Sequence, residues 1–106
     1  WKEPICFHCQ QAVEKFLKAL VISQWKPPLE THNLKQLLIQ ARQFGFTLPD
    51  IDRDCWSLTR YAVSARYPDD EPWLAGSEPH EISESDAERA LEAAERIVKV
   101  IRAELP

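Results

Sequence analysis

Apolar residues recur along most of the chain at steps of three and four, the spacing of one face of an α-helix, and no strand is needed to account for them. In the first segment Ile5, Cys9, Ala12, Phe16 and Ala19 or Leu20 form a stripe. Pro4 suits the first turn, and Gln10, Gln11, Glu14, Lys15 and Lys18 fill most of the other side. This helix is expected to run to about Ser23, with Pro27 and Pro28 closing it off. Phe7, Val13, Leu17, Val21, Ile22 and Trp25 fall off the stripe, so the helix is apolar over more of its circumference than a surface helix needs. A preceding helix or a second subunit is expected to cover it.

The second helix begins near Thr31 or Asn33, either of which can cap it. It carries Leu34, Leu37, Leu38, Ala41 and Phe44 before Gly45 supplies a stop. The third, from about Asp50 to Arg66, places Ile51, Cys55, Leu58, Ala62 and Ala65 on a narrow stripe, and Pro68 ends it. From Tyr67 to Ile82, Pro68, Pro72, Gly76 and Pro79 stand among acids with Trp73, which marks a long loop of the kind that often carries function. The fourth helix opens at Ser83 or Ser85, where Ser85-x-x-Glu88 matches a capping box. Its apolar face is Ala87, Ala90, Leu91, Ala94, Ile97, Val98, Ile101 and Leu105, with Glu92–Arg96 and Glu95–Lys99 as favourable pairs one turn apart. The expected architecture is an all-α, up-and-down helical bundle forming one domain over residues 1–106.

Composition narrows the function classes. A formal charge of −4 argues against a protein that coats nucleic acid non-specifically, while leaving room for a local basic patch. No apolar run is long enough to cross a bilayer and the start lacks a signal-peptide layout, so no membrane association and a cytoplasmic location are expected. Three cysteines do not make a disulfide framework and fit a reducing compartment. The chain opens on Trp1 and contains no methionine, so residues are expected to precede Trp1 in the natural protein.

The stretch FHCQQAVEKFLKAL (Phe7–Leu20), followed by THNLKQLL (Thr31–Leu38) and RYAVSARYPD (Arg60–Asp69), resembles the HEPN domain of prokaryotes, and the resemblance covers Phe7 to about Glu104. It implies an up-and-down bundle that usually forms a homodimer. It also implies a helix of about five turns, roughly 18 residues, ahead of the glutamine pair, and that first family helix is expected to be missing here. Related HEPN proteins are often encoded beside a minimal nucleotidyltransferase. Some such pairs are toxin–antitoxin systems in which HEPN is the ribonuclease, and other members are thought to bind nucleotides without cutting RNA.

HEPN ribonucleases carry Arg, four to six spacers, then His, because metal-independent RNA cleavage needs a proton-transfer group near neutrality beside a fixed cation. Counting from Arg60, the histidine positions hold Ala65, Arg66 and Tyr67; counting from Arg66, they hold Glu71, Pro72 and Trp73. The motif is absent and arginine cannot serve as its base. No catalytic residue is therefore assigned, and a ribonuclease with a divergent site stays open as the alternative. The expected function is nucleotide or anion binding, with RNA also open as the ligand, in a groove lined by Arg60, Ser64, Arg66, Tyr67 and Lys18. The competing structural account pairs Arg66 with Asp69 or Asp70 at the helix end. A nucleotidyltransferase partner could also place AMP on Tyr61 or Tyr67. Cys6-Phe7-His8-Cys9 invites a zinc site if Cys55, His32 or His80 came near, but buried thiol packing accounts for it better, and neither metal nor cofactor is assigned.

Overall fold

Four helices follow one another among the described residues: α1 (Lys2–Ser23), α2 (Leu34–Gln43), α3 (Asp52–Thr59) and α4 (Glu84–Glu104). This computed structural model describes residues 2–59, 61 and 83–105. α1 packs along α4 and also against α2 and α3, while α3 bridges α2 and α4, so the helices enclose one core in an all-α up-and-down bundle. The expected third helix is described only as far as Thr59, with Tyr61 in a 3₁₀ turn beyond it. The loop expected between Tyr67 and Ile82 lies outside the described residues.

The face that α1 buries is not the stripe its spacing suggested. Cys6, Cys9, Val13, Leu17, Leu20 and Val21 are buried, whereas Ala12 and Ala19 are exposed and Ile5 and Phe16 lie at the core's edge. The apparent surplus of apolar residues off the stripe, Val13, Leu17 and Val21 above all, is the core side itself. Large branched side chains remove more apolar area from water than alanines, roughly 1.5–3 kcal/mol for each one fully buried, and that decides the rotation of the helix. In α4 the core takes Ala87, Ala90, Ala93, Ile97 and Ile101. Leu91, expected on that face, is 45% exposed.

Two helix ends use one backbone solution with different residues. After α2, Gly45 N–H donates to Arg42 O and Phe46 N–H to Ala41 O, with Gly45 at φ +94°, the left-handed geometry that closes a helix. After α1, Trp25 N–H donates to Ile22 O and Lys26 N–H to Val21 O, and Trp25 occupies the left-handed position at φ +58°. A side chain with a Cβ is strained there. At the other ends, Asn33 caps α2 by accepting from Lys35 N at 3.0 Å and Gln36 N at 3.3 Å. Ser83 caps α4 in a reciprocal box with Asp86. The expected Ser85–Glu88 box is thus displaced by two residues, because the Ser83 hydroxyl accepts from Asp86 N at 3.1 Å while the Asp86 carboxylate takes Ser83 N–H at 2.8 Å.

Arg96 does not join the expected pair with Glu92. Its guanidinium donates to both carboxylate oxygens of Asp54, Nε to Oδ2 at 2.9 Å and Nη2 to Oδ1 at 2.8 Å, and so ties α4 to α3. Arg42 holds both oxygens of Asp52 at 2.8 Å and also donates to Leu48 O, fixing the α2–α3 connection.

Trp25 is 95% exposed, so Trp25→Gly removes strain without removing packing; we expect it to stabilise the fold by about 1 kcal/mol, read as a raised midpoint in urea unfolding. Ser83→Ala is expected to cost about 0.5–2 kcal/mol in the same assay, and Ser85→Ala less than about 0.5 kcal/mol.

Candidate functional site

Gln10, Glu14 and Lys18 stand four residues apart on α1, one above the other along one line of the helix. Gln10 and Glu14 are buried, which is costly for an amide and far more so for a carboxylate unless each polar atom finds a partner. Each does. Gln10 Oε1 accepts from Gln11 Nε2 at 2.7 Å, and Gln10 Nε2 donates to Glu14 Oε1 and to His32 O, both at 3.0 Å. Glu14 Oε1 also lies 2.8 Å from His32 Nδ1, and Glu14 Oε2 accepts from Lys18 Nζ at 3.1 Å. Burial pushes the Glu14 carboxyl up, but the hydrogen bonds from His32, Gln10 and Lys18, with the charge of Lys18, outweigh it and hold the group below its ordinary value. Glu14 is an ionised carboxylate inside the bundle.

The neighbouring backbone is fixed with equal care. Thr31 Oγ1 accepts from Asn33 N at 3.1 Å, and Leu34 N–H donates to Thr59 Oγ1 at 3.0 Å, while the Thr59 hydroxyl donates to Cys55 O at 2.9 Å. Three helices therefore meet here: α1 supplies the acid, the connection leading into α2 the imidazole, and the end of α3 the threonine that holds Leu34. Nothing in the sequence joins His32 to Glu14, 18 positions away. The one available signal was the run of polar residues on a helix otherwise rich in apolar ones.

Of the residues expected to line a groove, Lys18 is described, and its ammonium is engaged by Glu14. Arg60, Ser64, Arg66 and Tyr67 lie outside the described residues. Tyr61 is buried in the core, which leaves its ring unavailable for base stacking. Cys6, Cys9 and Cys55 are buried too, and desolvation pushes the Cys55 thiol up to about 12 and raises that of Cys9. His8 stands exposed beside Phe7, so the Cys6–His8–Cys9 trio does not converge.

The depressed Glu14 value fixes the sign of a pH effect. The unfolded chain takes up the proton first as pH falls, so the stabilisation is present above the ordinary carboxyl range and is lost as pH falls through the folded value. Glu14→Gln should flatten the loss of stability between about pH 5 and about pH 3 relative to the parent chain, measured by urea unfolding at each pH. A slope unchanged by the substitution would contradict the assignment.

Comparison with curated proteins and with solved structures returned no match. The family model of the HEPN domain matches residues 2–104, a span that takes in the Gln10–Glu14–Lys18 ladder, the Asn33 cap and all four helices. Among the described residues no helix is long and apolar enough to cross a membrane. With nearly its whole length matched and its helices packed as a bundle, the chain belongs to the HEPN domain family.

Proposed function

We propose that this HEPN domain is a nucleotide- or anion-binding and interaction module, partner to a minimal nucleotidyltransferase in a two-component system of the toxin–antitoxin kind. One observation carries the binding half. The end of α3 is fixed through Thr59 to Leu34, two residues from His32, whose ring shares the Glu14 carboxylate with Lys18. Arg60 follows Thr59 in the sequence, and with Arg66 it makes Arg60–Tyr67 a cationic stretch. Guanidinium groups, a lysine and the Ser64 hydroxyl together suit a phosphate-bearing ligand. The interaction half, including a homodimer, is supported by α4. Leu91, Ala94 and Val98, flanked by Glu95, Lys99 and Arg102, line an open depression of about 430 Å³ on its surface.

Metal-independent ribonuclease activity is the second reading, favoured by the contact between Glu14 and His32. A carboxylate on Nδ1 orients an imidazole as proton transfer requires, although His32 precedes α2 rather than following Arg60 at the family's spacing.

Calorimetric titration with AMP and ATP tests the binding function: binding is expected, with Arg60→Ala weakening it about tenfold or more, as the loss of a charged hydrogen-bond partner does. Absence of any nucleotide binding would remove this function. Labelled RNA incubated without metal is expected to stay intact, and cleavage abolished by His32→Gln would install the ribonuclease instead.

A further inference from the structure

Packing leaves α1 with an apolar stripe that the core does not use up. Ile5 and Phe16 lie at the core's edge and Ala12 and Ala19 are exposed, all towards one side of the helix. α4 has a matching stripe: Leu91 is 45% exposed, and Ala94 and Val98 are half-buried. The two stripes are neighbours. Burial first, then Cys6 and Glu95, raise the Cys9 thiol, so Cys9, between Ile5 and Ala12 on α1, stands within electrostatic reach of Glu95, which lines the open depression of α4 with Leu91, Ala94 and Val98. Ala12, Ala19 and Ala94 are small enough for another helix to approach closely.

Charge along the outer edge of α4 selects the occupant. Glu84, Glu88, Glu92, Glu95, Lys99 and Arg102 follow one another at steps of three and four, all exposed, with every acid before both bases. The helix dipole favours acids in the first turn and bases in the last, but it fades beyond them and does not account for Glu92, Glu95 and Lys99. Arg89 and Arg96 stand off this edge, where they donate to Ser85 and Asp54. A helix laid here must carry the reverse order, and α4 itself does so when run antiparallel. Glu92 and Arg102 stand five residues either side of Ile97, and Glu95 and Lys99 stand two either side, so one register pairs both acids with both bases of a copy.

We propose that a second copy of this chain docks on the α1–α4 face, with the two α4 helices antiparallel about a two-fold axis at the level of Ile97. Glu95 of each copy then meets Lys99 of the other, and Glu92 meets Arg102. This rests on the interaction half of the function proposed above and gives it a face and a register. α1 has 22 residues and α4 has 21, so the face is about 30 Å long and, with axes about 10 Å apart, about 20 Å wide. Roughly 600 Å² per copy is near the lower limit for a stable interface, and a micromolar dimer is expected.

Sedimentation equilibrium of the full chain from about 1 to about 200 μM is the test, with the mass expected to rise from 12.3 kDa towards twice that value. Glu95→Lys sets like charges together and is expected to weaken the dimer at least about tenfold, as is Lys99→Glu. The double variant Glu95→Lys with Lys99→Glu exchanges the charges and is expected to restore the dimer, which no arrangement lacking this pair would do. Ala19→Arg, on the α1 stripe, is expected to abolish it. All three positions are exposed, so the fold should tolerate these changes, with circular dichroism as the check. A dimer indifferent to the single reversals, or not restored by the double one, would overturn this face and keep the homodimer; a chain monomeric throughout removes both. AMP titration is independent: a dimer assembled as described that binds no AMP keeps this proposal and loses the binding function.

Discussion

A carboxylate withdrawn from water is the constraint around which this bundle is arranged. Moving such a group inside costs several kcal/mol even after relaxation, and the cost is offset only when its lone pairs are met by well-placed donors. Glu14 receives three, from Gln10, His32 and Lys18, and its carboxyl is held below the ordinary range in spite of burial. The donors have prevailed over desolvation. Each one imposes a demand elsewhere: Gln10 must itself be satisfied by Gln11, and His32 must be delivered by the chain that connects α1 to α2.

That connection is pinned along its length, although it has no regular structure. The Gln40 side chain of α2 accepts from Leu29 N at 3.0 Å and donates to Pro27 O at 3.2 Å, so an amide stands in for a strand neighbour. At its far end Thr31 and Asn33 form the turn that caps α2, and Thr59 holds the first amide of that helix. A side chain carried on such a segment loses little freedom when a ligand arrives. Preorganisation of this kind raises affinity without adding contacts. The strained turn at Trp25 belongs to the same device: α1 has to stop at Ser23 for the prolines to turn back towards Gln40.

The elements were legible in the sequence because helix signals are local. Asn33, Gly45 and the periodic leucines of α2 each act within a few residues, and the structure uses them as read. The rotation of α1 was not legible, since Ile5–Cys9–Ala12–Phe16 and Cys6–Val13–Leu17–Val21 both satisfy helical periodicity, and only packing against α4 and α2 chooses between them. The α4 cap failed for a related reason: Ser83-x-x-Asp86 and Ser85-x-x-Glu88 overlap by two residues, and spacing does not rank them. The family motif was visible as letters before its physics was. Its glutamine, glutamate and lysine are a ladder of hydrogen bonds reaching a histidine on the connection before α2, a contact that no local pattern encodes. Arg60, Ser64, Arg66 and Tyr67 keep the standing they have in the sequence, as residues whose chemistry suits an anion.

Stability alone does not explain the polar ladder. A buried ion pair replaced by well-packed apolar residues is often neutral or stabilising, so a leucine set at positions 10, 14 and 18 would serve a bundle as well. The bidentate pairs of the fold make the contrast. Arg42–Asp52 and Arg96–Asp54 lie in part-exposed positions where such pairs contribute little, and they clamp one element to the next. Both guanidinium groups are consumed by their carboxylates and have no positive charge left to offer. At Glu14 the stoichiometry differs, because one acid faces a lysine and an imidazole together. A pair that only clamps is complete with one partner; here the same acid also holds a histidine carried by the segment before α2. It is this sharing that ties the connection between α1 and α2 to the buried face of α1, a tie that neither of the other two pairs makes.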